Sequence, residues 1–430
     1  MKDNFQIVVV IVFALLAIVG VLVFSGAIPI GNNNGAGSLG TVVLWGTISS
    51  SAMNPVLQNF NDANPTFVVA YEEKSPETFD QDLLEAIASG KGPDMFFLTE
   101  DLAFKYSNKI IVVPYQSYPL ATFKSTFAGA GEVFLTSKGI LAFPVLIDPL
   151  VMYYNRSMLD ANGITNPPSF WDEFLTDVSI LTKRDDSNKI IKSGAALGHC
   201  SNVAHAKDIL TTLFMQTGNP VLTEKNGNLQ STLGLVGQGV DLSSVLQFYS
   251  DFANPLKNVY SWNKSFPMSN SAFSSEDLAF YFGYADELNS LVNQNPNQNF
   301  GVAPIPQIRS SNSKLTGAKV TGVAISAFSK NSNTAFLAAS QMALTDFSQN
   351  LAQALGVAPA KRDALGSQPD DAYSPTFYKS ALFSRTWMDP SSRDTDSIFR
   401  SMIDGVLSNS LSTNESIKDA DTRLDLLLTK

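Results

Sequence analysis

The sequence predicts an α/β protein of two lobes, preceded by one N-terminal transmembrane helix. Three observations predict it: a length of 430 residues, strand and helix patterns that alternate from Thr41 onward, and an uncharged apolar run from Ile7 to Ile30. A chain this long exceeds one ordinary hydrophobic core and favours two domains or one fold of two lobes.

The apolar run is about 24 residues long, enough to cross a bilayer as a helix. Lys2 is offset by Asp3 and the run continues through Phe24, which favours an uncleaved anchor over residues 1–30 rather than a signal peptide, although Ser25-Gly26-Ala27 leaves cleavage open. No cysteine stands there to accept a lipid. Residues 31–40 (GNNNGAGSLG) form a flexible spacer that lets a folded part stand off the membrane.

Thr41 to Trp45 is a β-branched apolar run bounded by Gly40 and Gly46 and reads as the first buried strand. Met53, Val56, Leu57 and Phe60 recur at helical spacing until Asn64-Pro65, and Phe67 to Tyr71 follows as a second strand. Pro76 to Ser89 repeats the helical pattern, and Met95 to Leu98 is a third strand. This alternation points to an open, mostly parallel sheet, in which ligands sit at the carboxyl ends of strands, here just after Trp45 and Leu98. Gly139 to Tyr154 reads as two apolar stretches interrupted by Asp148-Pro149, and an acid in such surroundings is costly without partners. Phe170, Trp171, Phe174, Leu175, Val178 and Leu181 make an amphipathic helical stripe, with Ser169 as the expected N-cap. Further strands are expected at 279–284, 300–306 and 320–325.

The composition limits the function classes. With 39 acidic and 29 basic residues the net charge is -10, so nucleic acid is excluded as an expected partner. The single cysteine, Cys200, cannot form an intramolecular disulfide. His199, Cys200 and His205 lack the further ligands that a zinc site needs and the orienting group that a catalytic Cys-His pair needs. No metal, cofactor or catalytic residue is predicted.

The motifs VVLWGT (42–47), GKGPDMFFLTED (90–101), GILAFPVLIDPLVMYYNRSMLDANGI (139–164), NPPSFWDEF (166–174), AFYFGYADEL (279–288) and FGVAPIP (300–306) occur in one order. Together they resemble the family 1 extracellular solute-binding proteins that serve ABC importers of sugars. The resemblance implies the type II periplasmic-binding-protein fold, with lobe one at 41–146 and 305–355, lobe two at 147–304 and 356–430, and hinge closure around a ligand. It also implies a non-enzymatic, monomeric sugar-binding protein with its binding domain extracytoplasmic and ABC permease subunits as partners, which the apolar run would hold on the cell membrane as a single-pass protein.

On the family pattern Trp45 and Thr47 sit at the first strand tip, Glu100 and Asp101 follow the third strand, Asp148 is the acid at the first crossing and Tyr284 is the cleft aromatic. His199 and Asn202 fall on the second lobe's wall as hydroxyl contacts. The family often has a Trp near the Tyr284 position, which this chain lacks; one member carries a Trp at the third strand tip where this chain has Leu98, and the late stacking Trp falls on or near Phe399. Each candidate also has an ordinary packing role: a core aromatic for Trp45, Tyr284 and Phe399, a solvated turn or helix cap for Glu100 and Asp101. Two other functions stay open. One is a binding protein or sensor for a non-sugar solute such as a polyamine or peptide, which acids at 101, 148 and 286 would suit. The other is a glycoside hydrolase using Asp101 and Asp148.

Overall fold

The computed structural model describes residues 39–225, 227–234, 241–311 and 313–429. The predicted anchor over residues 1–30, and the predicted spacer except Leu39 and Gly40, lie outside the described residues. Among the described residues no helix is long and apolar enough to cross a membrane.

At one end of the main sheet, strand Thr41–Gly46 lies between Val68–Glu73 and Met95–Thr99 and runs parallel to both. Val42 and Leu44 are fully buried, as the alternating pattern requires of a strand covered on one face. Helix Ser50–Ala63 buries Met53, Val56, Leu57 and Phe60, the four residues whose spacing predicts it. Gly46 must stay bare because a Cβ there would strike the Phe97 ring. Asp94 ties the neighbouring strand starts together: its carboxylate accepts from the Val43 N–H at 3.0 Å and the Ser329 hydroxyl at 2.6 Å.

The centre differs from the sequence reading. Ala142–Asn155 is one strand, buried along its whole length, and Asp148-Pro149 does not interrupt it. Residues 142–149 pair with Thr316–Ile325, whereas 150–155 pair with Leu278–Tyr284 and Phe300–Pro304. Pro149 sits where the ladder changes neighbours, the place a residue without an N–H is best tolerated inside a sheet. The expectation of a mostly parallel sheet is corrected for the same reason. Chain that passes from one half to the other must return through the same seam, so the central pairings are antiparallel.

At the other end Leu278–Tyr284 runs parallel to Ile190–Ala195. Helix Trp171–Leu181 covers this half, and Phe174 packs 5.2 Å from Phe280 and 5.6 Å from Phe282, ring centre to centre. Its start is capped from within, not by the expected Ser169 side chain. The Glu173 carboxylate reaches back to the N–H groups of Ser169 and Phe170, at 3.0 and 3.3 Å. Gln307 and Arg309 fasten the chain after 304 to this helix, through the Gln307 N–H to the Ser169 carbonyl and through the Arg309 pairs with Asp172 and Glu173. Helices Ser392–Leu407 and Thr413–Leu428 pack on each other and close the second half.

Candidate functional site

A cavity of about 1000 Å³ opens where the strand tips of both halves face each other across the central pair. From the first half it is lined by Thr47, Ile48 and Pro76 and by Thr99, Glu100 and Asp101, just beyond strands Thr41–Gly46 and Met95–Thr99. The central strands contribute Leu146, Asp148, Gly317, Ala318, Lys319 and Thr321. From the second half come His205 to Asp208, Tyr284 and Asp286, and the wall is completed by Arg385, Trp387, Asp389, Asp396 and Arg400. The carboxyl ends of parallel strands are where open α/β sheets leave a crevice, because helices start there and loops diverge.

Five of the sequence-derived candidates meet in this cavity: Thr47, Glu100, Asp101, Asp148 and Tyr284. Glu100 begins helix Glu100–Tyr106, and its carboxyl oxygen accepts the Val320 N–H at 2.8 Å. Burial, then the neighbouring Asp101 charge, pushes its pKa up to about 8. Asp101 accepts from the Thr99 hydroxyl in the turn that precedes the helix. Asp148 accepts the Asp286 N–H at 3.2 Å, and burial followed by the Asp286 charge raises its pKa well above the usual range. Tyr284 ends strand Leu278–Tyr284 and is only 3% exposed.

The other four lie outside the lining. Trp45 is half-buried at its strand end, with the Lys74 ammonium 3.7 Å from its ring centre. His199 is buried behind the wall, and its backbone carbonyl accepts the Tyr249 hydroxyl at 2.8 Å. The Asn202 amide accepts the Trp262 indole N–H at 3.1 Å and donates to the carbonyls of Asn263 and Phe266. Phe399 is fully buried, 6.4 Å from both the Phe214 and Trp387 rings. The late aromatic that lines the cavity is instead Trp387.

Two of the polar wall groups that the sequence did not single out as ligand contacts are held by several partners. His205 stands at the start of helix Ala206–Gln216 with a left-handed φ of 57°, a conformation that costs free energy in a residue with a Cβ. It lies 2.7 Å from a Glu287 carboxylate oxygen and 3.7 Å from one of Asp208, and its ring meets Tyr284 edge-on at 4.9 Å. Burial alone would lower its pKa, but Asp208 and Glu287 outweigh burial and raise it to about 9. Lys207 is the second: its ammonium lies 2.8 Å from Asp389 and 3.0 Å from Asp396 and also reaches the Thr395 hydroxyl at 3.2 Å. Among the described residues no three His, Cys, Asp or Glu side chains gather as ligands for a metal ion.

A family model described as bacterial extracellular solute-binding protein matches residues 56–375. A binding protein of Brucella abortus (strain 2308) is 24% identical over 143 residues, which cover 32% of this chain and 34% of that relative, so the match spans about a third of its length. Among solved structures, a cyclo/maltodextrin-binding protein complexed with maltotetraose has a TM-score of 0.72 at 16% identity, covering 92% of this chain and 97% of its own. The sugar-binding protein of Xanthomonas citri has a TM-score of 0.71 at 15% identity, covering 90% and 97%. A cyclic α-maltosyl-1,6-maltose binding protein from Arthrobacter globiformis has a TM-score of 0.73 at 15% identity, covering 90% and 98%. At these identities the likeness shows the fold, a two-lobed α/β architecture of the periplasmic-binding-protein kind.

Proposed function

From the premise that this chain belongs to the bacterial extracellular solute-binding proteins, a family of binding proteins and not of enzymes, we propose that it captures a neutral carbohydrate between its lobes for an ABC importer. One observation carries the choice of ligand class: two cations of the cavity wall, Lys207 and His205, are each matched by carboxylates in or beside that wall. Lys207 is set against Asp389 and Asp396, and His205 against Asp208 and Glu287. Such a wall offers donors and acceptors together, which suits hydroxyl groups that are both, while Tyr284 and Trp387 supply aromatic surface for a sugar's apolar face. The volume of about 1000 Å³ favours an oligosaccharide, being at the upper end of roughly 300–1,000 Å³ for small-molecule pockets. The sugar ligands of structurally similar proteins support the same class.

In this reading Thr47, Glu100, Asp101, Asp148 and Tyr284 contact the ligand, and Trp45, His199, Asn202 and Phe399 shape the wall from behind. The lobes are drawn at 41–146 with 305–355 and at 147–304 with 356–430, save at the second crossing. The Gln307 and Arg309 contacts with helix Trp171–Leu181 favour a crossing nearer Thr316 than Ile305. Ligand contacts to both lobes stabilise a closed form, and closure is the signal to the permease. The apolar run Ile7–Ile30 tethers the binding domain, as a monomer, to the outer face of the cytoplasmic membrane. Its length and lack of charge support this part.

The test is isothermal titration of the full chain with neutral oligosaccharides, with polyamines and peptides alongside. Saturable binding of one sugar series is expected, and Asp148→Ala should weaken it by roughly 3- to 10-fold, the loss of one hydrogen bond. Heat from polyamines or peptides alone would overturn the carbohydrate assignment.

A further inference from the structure

The polar centre of the cavity already holds an ammonium group. Lys319 lies on the central strand Thr316–Ile325, in register with Asp148 on the strand beside it. Its Nζ is 4.0 Å from the centre of the Tyr284 ring. The carboxyl groups of Asp286, Asp148, Asp208 and Glu100 line the same cavity from both halves: burial alone would lower the Lys319 pKa, and these four acids hold it above its ordinary value. An aromatic face backed by carboxylates is what a free organic cation requires of a binding site. Here the cation is a side chain on a flexible four-carbon stem.

We propose that Lys319 is a specificity-determining residue that fills an alkylammonium site from within and so excludes polyamines and other cationic solutes from the cavity. The proposal deepens the assignment of a neutral ligand and rests on it for its biological meaning. The physical argument is one of effective concentration. A tethered ammonium competes at millimolar or higher local concentration, so a dilute soluble amine does not displace it. Displacement would also leave the Lys319 charge buried without its acids. A neutral sugar escapes this competition and can accept hydrogen bonds from the same ammonium.

Truncation to Lys319→Ala removes the stem and leaves its volume vacant beside Tyr284 and Asp148. The probes are n-butylammonium chloride, which reproduces the lost stem and ammonium, and 1,4-diaminobutane, with sodium chloride at equal ionic strength as control. Thermal unfolding of the full chain is the readout. The variant is expected to melt below wild type and to regain a saturable rise of roughly 2 °C or more with either amine but not with sodium. Wild type should show no saturable rise. Lys319→Met, which fills the volume without charge, should stay unresponsive to both amines. If Lys319→Ala does not fold unaided, refolding yield with and without n-butylammonium gives the same answer. No response of Lys319→Ala to the amines, or an equal response of wild type, overturns the proposal. Because no sugar is used, sugar binding without amine rescue sinks this inference alone, and amine rescue without sugar binding sinks only the carbohydrate assignment.

Discussion

Replacing Asp389 by alanine is expected to lower the unfolding free energy by about 3 kcal/mol, because it leaves the Lys207 ammonium buried without its main counter-charge. The Lys207 side chain is 9% exposed and that of Asp389 6%. The pair joins the first turn of helix Ala206–Gln216 to the segment that starts helix Ser392–Leu407, where Asp389 also accepts from the Ser391 N–H at 3.0 Å and the Thr395 hydroxyl at 2.8 Å. Burial works against the Lys207 charge, and Asp389, with Asp208 and Asp396 behind it, outweighs burial and holds the Lys207 pKa above its ordinary value. Asp396 remains 3.0 Å away in the variant, but its side chain is 56% exposed and mobile water competes for it, so it replaces little of the lost field. Urea unfolding at neutral pH measures the change. The double variant Lys207→Met with Asp389→Leu should recover much of the loss, since an apolar pair leaves no buried charge unpaired. A single-variant loss below about 1 kcal/mol would show that Lys207 finds another partner or reaches water.

Residues with a strong local signature were legible in the sequence. The stripe of Trp171, Phe174, Val178 and Leu181 predicts its helix and buried face because periodicity alone decides which side is apolar. Asp148 stood out as an acid within an apolar run, and it lies in the cavity. Lys319, between Ala318 and Val320, carries the same signal with the opposite charge, and reading it would have placed a cation at the centre of the site. Pro149 misled because a turn signal is local, while the change of ladder partner that accommodates it involves strands far away in sequence. His205 depends on Glu287 and a left-handed backbone, neither of which leaves a trace in the residues around it. Trp387 and Phe399 are in ring contact, so an aromatic was expected in the right neighbourhood and assigned to the wrong layer of it.

Stability should fall as pH rises from 6.5 to 9, by roughly 3 kcal/mol from His205 alone. The folded protein raises the His205 pKa from 6.5 to about 9: burial opposes the charge, and the carboxylates of Asp208 and Glu287 more than offset it. A group whose pKa is raised on folding contributes its full stability below the unfolded value and loses it as pH passes the folded value, so the contribution is complete below pH 6.5 and gone above about 9. Glu100 acts in the same direction over a lower window. Its pKa rises from 4.5 to about 8 through burial and the Asp101 charge, so the folded state holds a proton that the unfolded chain releases above 4.5. Chemical unfolding at several pH values separates the two, since His205→Ala should flatten the decline between 6.5 and 9 and Glu100→Gln the decline between 4.5 and 8. The pH dependence also reaches the site. When His205 loses its proton its pair with Glu287 loses the charge attraction, and Glu287, whose carboxylate accepts the Tyr284 N–H at 2.7 Å, holds the strand end at Tyr284 and the following Asp286 less firmly at alkaline pH. Sugar affinity should decline over the same interval as stability. An unchanged slope between pH 6.5 and 9 in His205→Ala would mean that the imidazole is not the charged partner of Glu287, and that Tyr284 is held by its strand alone.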